Sequence, residues 1–299
     1  MSKKVSKCVI PVAGLGTRFL PITKAVPKEL LPIIDKPILH YIINEAIVAG
    51  IETIILVSSA GKTTIEDYFD LGNIHSYKIQ SKKKEHLIES VKELNKKVDI
   101  VSIRQDQQLG LGHAVYQANN LISSEESFGV LLGDEIIESD SPQQSALKSC
   151  LDLMNNSNED IKNVIGVLEV PKEETEKYGI VSLESNEQMS SNGFSPITGF
   201  VEKPTPQEAP SNWAIPGRYV FNYDIFDVIK NTPKGKGSEI QLTDAMDSLL
   251  KKQSFYAQKM TGKRFDTGSK LGYLQANVYF ALKNKELKDD LRNFIQDIL

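Results

Sequence analysis

Residues 8–19 read CVIPVAGLGTRF, and this stretch decides the fold. The apolar run at residues 8–12 ends in Gly14-Leu15-Gly16-Thr17, the pattern of a buried strand followed by a glycine loop. Residues 37–49 read as a helix. Pro37 suits its first turn, Asp35 is a candidate cap, and Ile38, Ile42, Ala46 and Ala49 share one face before Gly50 ends it. Residues 51–57, IETIILV, form the next strand. Strand, helix and strand in this order make a βαβ unit around a parallel sheet. A sheet covered on both faces accounts for the unbroken apolar runs.

The alternation continues outward. Helices are expected at residues 63–70, 85–97 and 112–120, and strands at 98–103 and 128–132. Strands then dominate, at 164–170, 179–183, 197–201 and 218–222. The polar segment 185–195 reads as a hairpin tip, and 231–237 as a second loop. Residues 270–299 are helical, with Leu271, Leu274, Val278 and Leu282 at helical spacing. There is no internal repeat and no linker that splits the chain. The expectation is one α/β domain over residues 1–299, with a Rossmann-like mixed, mostly parallel sheet and a helical C-terminus.

Of 299 residues, 40% are hydrophobic and 25% charged, which excludes a largely disordered chain. Lys and Arg number 35 against 39 Asp and Glu, a net charge of −4, so no broad basic face for nucleic acid or anionic membrane is expected. The two cysteines, Cys8 and Cys150, stand in no metal-ligand spacing. No apolar run is long enough for a membrane span. Residues 1–7 are basic but lead into only a short apolar run, so no signal peptide and a cytoplasmic location are expected.

The glycine loop fits neither common nucleotide motif. Phe19 stands where a dinucleotide fingerprint needs its third glycine, and the Gly-Lys-Ser/Thr ending of a P-loop is missing. Arg18, Lys24 and Lys28 follow closely, in a segment broken by Pro21, Pro27 and Pro32 that cannot be one regular helix. Cations on a proline-stiffened loop beside a glycine turn make a cradle for a polyanion.

Residues 13–37, AGLGTRFLPITKAVPKELLPIIDKP, closely resemble the N-terminal signature of the bacterial UTP–glucose-1-phosphate uridylyltransferases, among the sugar-nucleotide pyrophosphorylases. Ala13 and Glu29 favour this branch over the related thymidylyltransferases, whose loop begins with two glycines and whose lysine is followed by Gln. The resemblance continues through Arg104-Gln105, residues 110–115 (GLGHAV), 128–134 (FGVLLGD), 178–181 (YGIV), 201–204 (VEKP), 217–220 (GRYV), 237–244 (GSEIQLTD) and 264–268 (RFDTG). Many relatives carry Asp where this chain has Glu135 and Cys where it has Thr267.

The resemblance implies Mg²⁺-dependent transfer of a uridylyl group from UTP to glucose 1-phosphate, giving UDP-glucose and pyrophosphate. Gln105 would read the uracil edge, with backbone groups of Ala13, Gly14 and Gly110 completing the contact and Glu29 touching the nucleoside. His113 is read as structural. Arg18 would neutralise the leaving pyrophosphate, Lys28 the triphosphate and Lys203 the sugar phosphate. Glu202, Gly179 and Gly217 would meet the hexose, and Asp134 and Asp266 would hold the metal, which suits one or two carboxylates with phosphate oxygens and water. Residues 1–135 would then bind nucleotide, 136–269 sugar phosphate, and 270–299 would supply a homo-oligomer interface, dimer or tetramer. Glu239 and Asp244 read as helix-start residues, with Ser238 as N-cap. A same-fold enzyme with another base or sugar, and a non-catalytic nucleotide-sugar sensor, stay open as alternatives.

Overall fold

The computed structural model describes residues 4–72, 88–157, 160–184 and 189–299. In order, the first half carries β1 (Lys7–Pro11), the two-residue strands β2 (Pro32–Ile33) and β3 (Lys36–Pro37), β4 (Thr53–Ser58), β5 (Asp99–Arg104), β6 (Ser127–Leu131) and β7 (Glu135–Glu138). The second half adds β8 (Asn163–Glu169), β9 (Gly179–Leu183), β10 (Phe194–Glu202), β11 (Trp213–Asn222), β12 (Phe255–Lys259) and β13 (Lys263–Asp266).

Nine of these strands form one sheet in the order β5-β4-β1-β6-β11-β8-β12-β10-β9. β1 pairs in parallel with β4 and β6, β4 with β5, and β12 with β8. β11 and β10 run against their neighbours, so the sheet is mixed as expected. The two-residue period of a strand sorts β1 and β4 between two cores. Cys8, Ile10, Val12, Ile54 and Leu56 enter the core on one face, beneath the helix Ile38–Val48. Val9, Ile55 and Val57 enter the other, with Val115, Phe226 and Met246.

The helix expected at 37–49 runs Ile38–Val48, without a side-chain cap from Asp35. Of the helix expected at 85–97, Glu89–Asn95 is seen and residues 85–87 lie outside the described residues, as do 185–188 of the hairpin tip. β9 and β10 pair antiparallel on either side of that tip. Ser238 is not a helix cap: it lies in a 3₁₀ turn with φ 60°, and the helix Leu242–Leu250 starts from Gln241. The C-terminal stretch forms two helices, Lys270–Lys283 and Lys288–Ile298. Its leucine stripe faces outward, with Leu271 67% and Leu274 59% exposed, while Gly272 and Ala276 take the buried side. Among the described residues no helix is long and apolar enough to cross a membrane.

Candidate active site

The sheet order turns back at β1. The chain moves from β1 out to β4 and β5, then returns to β6 on the other side of β1. Open α/β sheets bind ligands at the carboxyl ends of strands at such a point. The glycine loop leaves β1 there, and Asp134 follows β6 there.

The loop is held by its carbonyl oxygens. Lys62 Nζ donates to Val12 O at 2.5 Å and to Gly14 O at 2.6 Å. Ser59 and Gln108 donate to Ala13 O, and Thr23 to Gly16 O. The N–H groups of Gly14, Leu15 and Gly16 take no partner among the described residues, which leaves donors for an anion. Gly16 has φ 65°, and a Cβ on it would stand 3.1 Å from Lys28 Cβ, so the turn needs glycine. Short 3₁₀ turns, Thr17–Phe19, Ile22–Lys24 and Lys28–Leu30, carry the chain past its prolines and place Arg18 and Lys28 beside the loop. Glu29 turns inward: it is 1% exposed and meets Lys62 Nζ at 2.9 and 3.1 Å. Burial raises the Glu29 pKa and lowers that of Lys62, each opposed by the attraction of its partner.

Asp134 and Asp266 converge at Gly268. A Cβ on Gly268 would stand 2.7 Å from Asp134 Oδ2 and 3.1 Å from Asp266 Oδ1. The antiparallel ribbon of β7 and β13 sets them together, pairing Glu135 with Asp266. Thr267 donates to Asp134 O from both its backbone N–H and its hydroxyl, at 2.9 and 2.6 Å. Lys28 Nζ lies 2.6 Å from Asp134 Oδ2, and Arg18 reaches Gly268 O at 3.5 Å. Burial pushes the Asp134 carboxyl up, but Lys28 and Arg18 outweigh it and hold the group below the usual carboxylate range. Burial likewise pulls Lys28 down, and the charges of Asp134 and Glu29 lift it above the ordinary lysine value. Two carboxylates with no third acidic, His or Cys partner among the described residues fit a metal that draws its remaining ligands from substrate and water, as Mg²⁺ does.

Two clefts meet at Asp134. One, of about 480 Å³, is lined by Ala13, Gly14, Lys28, Gln105, Gly110 and Asp134. The other, of about 1180 Å³, is lined by Arg18, Asp134, Gly179, Glu202, Lys203 and Asp266, among others. In the first, Gly110 has φ 104°, and a Cβ there would meet Glu239 Cβ at 2.7 Å and Ile240 O at 2.9 Å. That close approach lets Ile240 N donate to Leu109 O at 2.7 Å and Gly112 N to Ile240 O at 2.9 Å. In the second, the Glu202 carboxylate is held by Lys203 at 3.0 Å and by the Thr243 hydroxyl at 2.7 Å. Gly179 fits against both Glu202 and Thr243. Lys203, half exposed, stands at φ 47°. Gly217 is placed by packing: a Cβ on it would fall 2.4 Å from Leu132 Cγ, while its neighbours Pro216 and Ile215 line the cleft.

The structure brings further residues to the site. Lys62 carries no motif signal, since a lysine after a glycine reads as a solvated turn. Arg264 grips Glu135 through two bonds of 2.6 and 2.7 Å and meets the Tyr178 hydroxyl at 2.7 Å, on the wall of the larger cleft. Arg264 and Tyr178 stand inside quoted motifs, but their meeting across 86 residues of chain has no local sign in the sequence.

The pattern of the nucleotidyl transferase family matches residues 7–282. The chain is 46% identical over 298 residues to the UTP–glucose-1-phosphate uridylyltransferase of Bacillus subtilis, covering 99% of this chain and 98% of that one. It is 44% identical over 296 residues to the protein of the same name in Staphylococcus epidermidis, with 99% of each covered. Among solved structures, a UTP-bound UGPase from Acinetobacter baumannii superposes with a TM-score of 0.88 at 38% identity, covering 99% of this chain and all of that one. A UDP-glucose pyrophosphorylase complexed with UDP-glucose gives 0.83 at 38% identity, with 94% of this chain and all of that one covered.

Proposed function

The chain belongs to the nucleotidyl transferase family, and from that premise we propose that it transfers a uridylyl group from UTP to α-D-glucose 1-phosphate, releasing pyrophosphate and forming UDP-glucose. The observation that carries this reading is the meeting of two clefts at Asp134, with the glycine loop on one side and Glu202 and Lys203 on the other. The reaction needs no protein nucleophile. A phosphate oxygen of the sugar phosphate attacks the α-phosphorus in line, the bond from that phosphorus to the bridging oxygen breaks, and pyrophosphate leaves. Bringing two polyanions together is the main obstacle, so alignment and charge neutralisation carry the catalysis.

In this reading Gln105 and the backbone of Ala13, Gly14 and Gly110 bind the nucleoside. The free loop N–H groups and Lys28 hold the triphosphate, and Arg18 takes up charge on the leaving pyrophosphate. Lys203 anchors the phosphate of the sugar. Glu202, with its carboxylate already oriented by Thr243, accepts hydrogen bonds from hexose hydroxyls beside Gly179. Glu29 acts on the nucleotide through the loop that Lys62 ties to it. Gly217 acts through packing on Leu132. Asp134 and Asp266 would hold Mg²⁺, which when bound supplies charge neutralisation between the reacting phosphates. Residues 1–135 thus serve the nucleotide and 136–269 the sugar phosphate, in a cytoplasmic enzyme. The outward apolar stripe of residues 270–299 suits a second copy of the chain, and light scattering reads the resulting oligomer.

The test is pyrophosphate release from a panel of nucleoside triphosphates and sugar 1-phosphates, with and without Mg²⁺. Release from UTP with glucose 1-phosphate, and only with the metal, is the expected result. No release with any pair would leave a nucleotide-sugar sensor in place of an enzyme.

A further inference from the structure

We propose that Arg264 is a positioning residue that sets the sugar-phosphate wall of the larger cleft against the ribbon of β7 and β13, with the Tyr178 hydroxyl as its far anchor. The inference rests on the uridylyl-transfer reading. The two walls belong to different sheets. Asp266 ends β13, which pairs with β7 in a two-stranded ribbon, and Glu135 opens β7 directly after Asp134. Gly179 opens β9 in the nine-stranded sheet and pairs there with Glu202 of β10. Tyr178 comes just before Gly179, and its carbonyl oxygen accepts from Lys203 N at 2.9 Å. Backbone pairing thus fixes each wall within itself, but the pairing of β7 with β13 does not extend to β9 or β10.

Arg264 spans the gap. Alternate residues of a strand share a face, so Arg264 stands on the face of Asp266, and both line the cleft. Its Nε and Nη2 donate to the two Glu135 carboxylate oxygens at 2.7 and 2.6 Å, a fork that leaves the guanidinium one orientation. Nη1 reaches the Tyr178 hydroxyl at 2.7 Å. A guanidinium only donates, so the phenol oxygen is the acceptor whichever way its own hydrogen turns. The Tyr178 ring also lies against the cation, 4.8 Å from Arg264 Cζ to the ring centre, and packs with Val170, Ile180 and Ala214. Glu135 matches the charge of Arg264, so what the pair brings to the cleft is geometry rather than net charge. In-line attack needs the oxygen held from one wall to meet the α-phosphorus held from the other. A shift of about 1 Å between them can cost about a hundredfold in rate with each substrate still bound.

The experiment measures kcat and both KM values, with UTP and glucose 1-phosphate, in the wild type, Tyr178→Phe, Arg264→Lys and the double variant. Phe keeps the ring and loses the anchoring oxygen; Lys keeps a cation and loses the fork. Tyr178→Phe is expected to lower kcat about tenfold or more while each KM stays within about twofold of the wild type. Calorimetric titration of UTP alone should match the wild type. The double variant is expected to lose no more than the worse single one, because both cut the same tie. An unchanged kcat in folded Tyr178→Phe overturns the proposal. So does a raised KM for glucose 1-phosphate at wild-type kcat, which would make the hydroxyl a substrate contact. Losses that multiply in the double variant overturn it as well, since they would show two independent roles. Should Arg264→Lys not fold, Tyr178→Phe decides alone through the split between kcat and KM. A wild type that releases no pyrophosphate from UTP and glucose 1-phosphate refutes uridylyl transfer itself. Wild-type turnover with an unchanged kcat in Tyr178→Phe refutes only the role of Arg264.

Discussion

Lys28 Nζ stands 2.6 Å from Asp134 Oδ2, so the cation assigned to the triphosphate rests on a carboxylate assigned to the metal. The two roles compete for one oxygen. Asp134→Ala is expected to abolish pyrophosphate release while thermal melting shows a folded chain; near-wild-type turnover would remove Asp134 from the metal site. Lys28→Met uncovers the carboxylate, so calorimetric titration of Mg²⁺ without nucleotide should show tighter binding than in the wild type. Unchanged or weaker binding would mean that Lys28 does not compete for Asp134.

Lys203 lines the larger cleft from a strained backbone position, and among the described residues its ammonium pairs with Glu202. Lys203→Ala should raise the KM for glucose 1-phosphate by about tenfold or more, as expected for a charge-assisted contact, with a much smaller change in the KM for UTP. Equal rises in both would reject this division of labour.

Arg218 is fully buried and grips Glu45 with bonds of 2.9 and 2.7 Å, while Glu45 also accepts from Leu147 N at 3.1 Å. Removing one partner strands the other charge in a dry core. Glu45→Ala should therefore lose about 3–5 kcal/mol in urea unfolding. The double variant Glu45→Leu with Arg218→Met should recover part of that loss; a double variant less stable than Glu45→Ala would contradict the stranded-charge account.

His40 is buried, with Nδ1 3.0 Å from the Tyr68 hydroxyl. Burial, helped by Lys36, lowers its pKa to about 4. Above the unfolded value near 6.5 the ring is neutral in both states. As pH falls from there toward 4, the unfolded chain takes up a proton that the folded chain refuses, so stability is lost in that window. The loss by pH 4.5 is about 2–3 kcal/mol. Urea unfolding at pH 7 and 4.5 should show a smaller drop for His40→Gln than for the wild type; identical drops would place the acid sensitivity elsewhere.

The spine of the fold was legible because strands buried on both faces leave unbroken apolar runs, and β9 begins and ends where its sequence suggests. The ribbon of β7 and β13 was not: four residues each, largely charged, they pair only because chain distant in sequence meets. Helical spacing revealed the stripe of Leu271 and Leu274 but not its direction, since periodicity defines a face without saying what covers it. In the site, Asp134 and Lys203 stood out at strand ends. Lys62 did not, because its three partners are backbone oxygens and a buried carboxylate that no local pattern announces. Gly217 illustrates the converse: its need for glycine comes from Leu132.

The segment from Ile240 to Thr243 reaches the walls of both clefts. Ile240 is stitched to the backbone on either side of Gly110, and three residues later Thr243 steers Glu202. The two clefts are therefore joined by this segment as well as by Asp134 and Glu239, which line both. Those four residues connect the walls of the two clefts in one covalent run. Reciprocity then requires that whatever factor the nucleotide imposes on sugar-phosphate affinity, the sugar phosphate returns to the nucleotide.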